Sequence, residues 1–204
     1  MNLVNFFSES FEKSAQNIGR LSRDRILTEN VCKSAEMIIR SYEQGGGLFI
    51  AGNGGSAADA QHIAAEMVGK LSKDRNPLKA YALTVDSSYL TAVGNDYGYD
   101  HIFSRQIEGL MSEKDVFLGI TTSGNSTNLI EAFKMARQKK VPSILLTGKD
   151  GGKIAESGNS DLVLIAPGNT TAEIQEAHIV IYHALCFSVE FALVEKGIVS
   201  YRPG

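Results

Sequence analysis

Three times along this chain an apolar run breaks into a loop of glycines and hydroxyl residues, and a helical pattern follows at once. The loops are Gly52-Asn53-Gly54-Gly55-Ser56, Thr121-Thr122-Ser123-Gly124-Asn125-Ser126 and Thr147-Gly148-Lys149-Asp150-Gly151-Gly152. Strands that repeatedly feed helices build a parallel sheet with helices on both faces, a three-layer α/β/α sandwich. The apolar runs at 48–51, 80–85, 116–120, 143–146 and 162–165 predict a five-stranded sheet, several of them apolar throughout, as strands buried on both faces are. Helical patterns open near Ser56, Ser87, Thr127 and Gly151, and a last long helix is expected from about Thr171 to Glu195. Residues 2–44 predict an N-terminal helical hairpin, with Val4, Phe7, Phe11 and Ile18 on one stripe and Ile26, Val31, Ala35, Ile38 and Ile39 on another, ended by Gly45-Gly46-Gly47. A chain of 204 residues makes one domain: helices over 1–44, a parallel core over 45–200.

Lys and Arg number 20 against 23 Asp and Glu, a formal charge of −3, and no basic run stands out, which excludes a phosphate-neutralising duplex binder. Cys32 and Cys186 form no CxxC and no secreted framework, so both read as buried thiols of a reducing compartment. The N-terminus lacks the basic and apolar regions of a signal peptide, and the expected location is the cytoplasm. The apolar stretch from Ile179 to Val194 carries His183 and Glu190 and falls short of a bilayer span, so no membrane partner is expected.

In an open parallel sheet ligands sit at the carboxyl ends of strands where the strand order reverses. If the first strand lies centrally, loops 52–56 and 121–126 flank that crevice. Loop 121–126 offers the hydroxyls of Thr121, Thr122, Ser123 and Ser126 directly before a helix, with Gly124 permitting close backbone approach, a combination suited to phosphate. An ordinary helix cap needs one hydroxyl rather than several. In loop 52–56, Ser56 and Asp59 form a Ser-x-x-Asp pattern that predicts a carboxylate capping the next helix. That makes the loop a poorer phosphate site, and leaves Asn53 and the glycine backbone for neutral sugar hydroxyls. The same loop matches GxGxxA loosely, but Asp74, the acid at the required spacing, falls in a loop before the second strand, and no GxxxxGK[ST] is complete.

His62 and Glu66 stand four apart on the helix that loop 52–56 opens. By spacing alone a surface His–Glu pair is the ordinary outcome; the start of that helix at the ligand face favours metal ligation or acid/base chemistry. His178 and His183, five apart, cannot share a helix face. His178, His101 and Cys186 are expected to be structural.

Taken in order, Gly52-Asn53-Gly54-Gly55-Ser56, Asp59-Ala60-Gln61-His62-x-x-x-Glu66, Gly94-Asn95-Asp96, Thr121 to Ser126, Leu146 to Gly152 and Ile174-Gln175-Glu176-x-His178 resemble the bacterial phosphoheptose isomerases, of the sugar isomerase (SIS) domain family. The resemblance runs from about residue 45 to 190. It implies the SIS-type sandwich, conversion of sedoheptulose 7-phosphate to D-glycero-D-manno-heptose 7-phosphate on the way to the heptose of lipopolysaccharide, one zinc per subunit, and a homotetramer. It implies Thr121, Thr122, Ser123 and Ser126 at the phosphate, and Asn53, Gly54, Gly55, Asn95 and Asp96 at the sugar, with Glu66 and Gln175 also touching substrate. The implied metal ligands are His62, Glu66, Gln175 and His183, and the implied catalytic pair is Glu66 and His183.

Gln175 and His183 are eight residues apart, about 12 Å of helical rise, so one ion between them requires an irregular helix near Gln175 or a neighbouring subunit. Similar proteins carry a basic residue where this chain has Glu173. A second class, a non-enzymatic SIS adaptor similar to the protein that associates with the replication initiator, lacks counterparts of Glu66 and His183 and carries a bulky basic residue in place of Ser123. All three enzyme-type residues are present here.

Overall fold

In the computed structural model, which describes residues 2–202, one all-parallel sheet runs in the order β2-β1-β3-β4-β5. The strands are β1 (Leu48–Gly52), β2 (Ala80–Ala82), β3 (Val116–Ile120), β4 (Ser143–Gly148) and β5 (Leu162–Ala166). The helices are α1 (Leu3–Ile18), α2 (Arg25–Glu43), α3 (Gly55–Val68), α4 (Ser87–Asp96), α5 (Ser104–Leu110), α6 (Thr127–Gln138), α7 (Gly152–Glu156) and α8 (Thr171–Glu195). Every residue of β1 and β3 is buried, as strands covered on both faces must be. Alternate side chains serve the two faces: Leu48, Ile50, Val116, Leu118 and Ile120 pack with α2, α3 and α8. Phe49, Ala51 and Phe117 pack with α4, α5 and α6.

The strand order reverses between β1 and β3, which are hydrogen-bonded neighbours while α3 and α6 leave them toward opposite faces. Their loops therefore part and open the crevice expected from the sequence. The edge strand β2 is shorter than its apolar run: after Leu83 donates to the Ile50 carbonyl at 2.8 Å, Asp86 turns the chain into α4 by accepting from the Tyr89 N–H. The seven-residue α5 was not expected from the sequence.

The two N-terminal helices are present, but α1 rests on α8. Asn17 is buried there and donates to the carbonyls of Pro167 and Glu173, each at 3.1 Å. The rest of its apolar stripe is open: Val4 is 76% and Phe11 71% exposed. Helix α8 covers the expected Thr171–Glu195; contrary to the sequence reading, it is long and apolar enough to cross a membrane. Half of that apolar window is buried, with Ile174, Ala177, Ile181, Leu185, Val189 and Leu193 in the core, so it serves here as the central core helix.

One buried ion pair joins α3 to α8. Arg75 donates from Nε to Glu190 Oε2 at 2.7 Å, from Nη1 to the carbonyls of Met67 and Asn76, and from Nη2 to the Glu66 carbonyl at 2.8 Å. A cation thus caps the carboxyl end of α3, where the helix dipole favours it. Tyr201 closes over it, forming a β-bridge with Arg75.

Candidate active site

The crevice between β1 and β3 holds a cavity of about 250 Å³ lined by Asn53, Gly55, Ser56, Thr121, Thr122, Ser123, Ser126, Thr171 and Gln175. Three helices begin at it. Neither α3, entered through Gly54, nor α6, entered through Ser126, has a side chain capping its first turn. Helix α8 does: Thr170 and Glu173 form a reciprocal capping box, with Glu173 Oε2 accepting from Asn169 N at 2.7 Å and Thr170 N at 3.2 Å. These bonds hold the Glu173 carboxyl below the usual carboxylate range and give the acid at this position a local role. Two uncapped N-termini and the four hydroxyls of loop 121–126 make an electropositive cradle for an anion.

The capping expected of Asp59 does not occur. Helix α3 has Gly54 rather than Ser56 at its N-cap and starts at Gly55, which carries Asp59 past the first turn and into the interior. Loop 52–56 is consequently part of the anion cradle. Its glycines have their own reasons: a Cβ on Gly52 would crowd the Ser56 backbone, Gly54 takes φ +56°, and Gly55 lies against the side-chain amide of Gln175. Gly124, at φ +66°, has its would-be Cβ 1.8 Å from the Gly151 carbonyl oxygen, so only glycine lets loop 121–126 lie against loop 147–152.

A second group of side chains gathers farther along α3 and α8. His62 Nε2 lies 3.1 Å from Glu66 Oε1. The ring of His183 stands edge-on to that of His62 at 5.1 Å. One donor atom from each of His62, Glu66 and His183 lies within 4.8 Å of the others. Glu66 Oε2 is buried without a hydrogen-bond partner, a carboxylate oxygen whose unmet demand a cation would answer. Two imidazoles and a carboxylate are a donor set that zinc accepts. Gln175 is not with them; its side chain lies at Gly55 in the cradle, and α8 is continuous from Thr171.

Tyr182 and Asp59 stand behind this group. The Tyr182 hydroxyl lies 2.9 Å from His62 Nδ1 and 3.5 Å from Asp59 Oδ1. Burial pushes the carboxyl of Asp59 up, against the pull of Tyr182 and His62. Burial, then the charge of Asp59, pushes the Tyr182 hydroxyl up, so it stays protonated.

Of the sugar-side residues, Asn53 and Gly55 line the cradle and Gly54 caps α3 from the open. Asn95 and Asp96 are exposed at the end of α4, Asn95 Nδ2 donating to Asp96 Oδ1 at 2.8 Å. Asn128, which the sequence did not single out, is buried and pairs with Asn53, and Tyr99 donates to Asn53 Oδ1 at 3.3 Å. His178 is buried, with Nε2 at 3.0 Å from the Thr147 carbonyl, and desolvation lowers its pKa to about 4, in keeping with a structural role. Cys186 is buried and its thiol is pushed up to about 12, chiefly by desolvation, whereas Cys32, expected to be buried, is exposed on α2.

The SIS domain model matches residues 11–148. The phosphoheptose isomerase of Helicobacter hepaticus is 50% identical over 171 residues, 84% of this chain and 86% of that protein. The structure of the phosphoheptose isomerase from Neisseria gonorrhoeae superposes with a TM-score of 0.84 at 43% identity, over 93% of this chain and all of the other. That of a phosphoheptose isomerase from Francisella tularensis gives 0.86 at 34% identity, over 94% of this chain. With the SIS domain model matched over residues 11–148 and phosphoheptose isomerases matched in sequence and fold over most of its length, the chain belongs to the SIS domain family, among the phosphoheptose isomerases.

Proposed function

We propose that this chain isomerises sedoheptulose 7-phosphate to D-glycero-D-manno-heptose 7-phosphate. What supports this most is that α3 and α8 both start at the anion cradle and both carry members of the His62, Glu66 and His183 group. The cradle hydroxyls of Thr121, Thr122, Ser123 and Ser126, with the first N–H groups of α6, take the phosphate. Asn53, Gly54, Gly55, Asn95, Asp96 and Gln175 take the sugar.

Glu66 is the base. It removes a proton from C1; the C1–H electron pair becomes the C1–C2 double bond, and the carbonyl pair passes to O2, which gains a proton from His183. Return of a proton to C2, with the O1 proton handed to His183, leaves an aldehyde at C1 and restores both residues. No redox cofactor enters. His62, Glu66 and His183 would hold one zinc per subunit, the chemistry it supplies being polarisation of the carbonyl. Gln175, lying in its own chain's cradle, would complete a ligand set only across a subunit boundary.

The open apolar surface supports a homotetramer: Val4, Phe7 and Phe11 on α1, and Ile179, Val180, Phe187 and Phe191 on α8. The N-terminal helices, 1–44 of the single 1–204 domain, are placed in those contacts. We assign the enzyme to the cytoplasm, where its two free cysteines stay reduced, and to supply of heptose for lipopolysaccharide.

The test is incubation of metal-replete protein with sedoheptulose 7-phosphate, followed by NMR of the product. No turnover, together with tight binding to a replication initiator, would favour the adaptor reading, against which Glu66, His183 and Ser123 now stand.

A further inference from the structure

We propose that Tyr182, backed by Asp59, is a positioning residue that sets which ring nitrogen of His62 is offered to a metal; this rests on the metal reading of the His62, Glu66 and His183 group. The hydroxyl of Tyr182 is buried and has one hydrogen to give. Two groups lie within its reach: His62 Nδ1 at 2.9 Å and Asp59 Oδ1 at 3.5 Å. The carboxylate of Asp59 only accepts, its Oδ2 is buried with no partner, and Tyr182 is its side-chain donor among the described residues. Were Tyr182 to donate to His62, Asp59 would be left buried with no side-chain donor, and a buried acceptor left unmet is costly, more so when charged.

The arrangement that serves all three groups therefore runs from His62 Nδ1–H to the Tyr182 oxygen, and from the Tyr182 O–H to Asp59. The hydrogen of neutral His62 is then committed to Nδ1, and the lone pair of Nε2 faces Glu66 Oε1 at 3.1 Å. Two acceptors pointed at each other ask for a cation between or beside them. Outer partners that fix a histidine tautomer in this way are worth about 10- to 100-fold in metal affinity. The spacing of His62 and Glu66 says nothing of this, because Tyr182 is 120 positions away in the chain.

The experiment is zinc binding by competition with a chelator on the full chain, with ¹⁵N shifts of the His62 ring in the zinc-loaded protein. Wild type should hold zinc through Nε2. Tyr182→Phe should bind zinc roughly 10- to 100-fold more weakly, with a population ligated through Nδ1 after ring rotation. Asp59→Asn keeps Tyr182 and offers it a neutral acceptor, so a smaller loss in the same direction is expected; it also serves should Tyr182→Phe fail to fold. Wild-type affinity and Nε2 ligation in a folded Tyr182→Phe, or in Asp59→Asn if the first does not fold, overturn the proposal. His62→Ala isolates the underlying reading: undiminished zinc binding there removes the metal site itself, whatever Tyr182 does.

Discussion

The side-chain amides of Asn53 and Asn128 meet head to tail, each donating to the other at 2.9 Å. This pair crosses the mouth of the crevice, tying the loop after β1 to the first turn of α6. Asn53 Oδ1 accepts from both Asn128 and the Tyr99 hydroxyl while its Nδ2 donates to Asn128, so its orientation is set before any substrate arrives.

Removing the partner tests that. Asn128→Ala strips Asn53 of both amide bonds, and kcat/KM for sedoheptulose 7-phosphate should fall about tenfold, the equivalent of one to two hydrogen bonds. Asn128→Asp cannot donate and brings a negative charge beside the phosphate loop, so steady-state kinetics should show a larger rise in KM. Unchanged kinetics in both variants would leave Asn53 without a substrate role.

Ser123 is one of several cradle hydroxyls. Ser123→Ala should raise KM by a factor corresponding to about 1 to 2 kcal/mol, roughly 5- to 30-fold, with kcat little changed. A loss confined to kcat would move Ser123 from phosphate binding to the chemistry.

Glu66→Gln keeps the size of the side chain and an oxygen for the cluster, yet cannot take a proton at neutral pH. Its kcat should drop by roughly 100-fold or more while substrate still binds. Solvent deuterium entering the carbon beside the carbonyl is the direct readout: near-normal exchange in the variant would show that another group is the base.

Arg75→Met leaves Glu190 charged and buried, and also uncaps α3 at Glu66. Urea titration should show a loss of about 3 to 5 kcal/mol, with much of it recovered in the double variant Arg75→Met/Glu190→Leu, which removes both charges. A double variant no better than the single one would mean that the carbonyl capping, rather than the ion pair, carries the stability.

The buried His178 makes stability depend on pH. Its folded pKa, near 4, is below the ordinary value of 6.5, so between those values the unfolded chain binds the extra proton. Stability from this group is therefore full above about pH 6.5 and declines as the pH falls toward 4, by an amount on the order of 3 kcal/mol. Urea midpoints measured from pH 7 to 4.5 should fall more steeply for wild type than for His178→Gln. Parallel slopes would remove His178 as the cause.

The sheet was legible because its evidence is local: each strand is a short apolar run closed by glycine or hydroxyl residues, and the crevice follows from where two such loops must part. His62 and Glu66 were legible for the same reason, being four apart on one helix. The register of α3 differs from the reading by two residues, since Ser56 and Asp59 imitate a cap while Gly54, at φ +56°, makes the turn. Asn128, Tyr99, Tyr182 and the Arg75–Glu190 pair carried no local sign. Their partners lie 46 to 123 positions away, and only the packing of α3, α6 and α8 around the sheet brings them together.

Gln175 touches Gly55 at the cradle, and His183 meets His62 at the other group, so α8 and α3 advance in step for eight residues and seven. At about 1.5 Å of rise per residue that is roughly 10 to 12 Å. On the proposed function the two helices act as a gauge block: with the phosphate seated at one end, the atoms that exchange protons must sit a set length away. A seven-carbon chain, with six carbon–carbon bonds of about 1.5 Å between its phosphate-bearing end and C1, covers most of that length when extended. A three- or four-carbon sugar phosphate seated by the same anion stops short of Glu66. The size of the sugar is then measured by backbone rise, and lengthening or shortening either helix between those contacts would change which sugars fit.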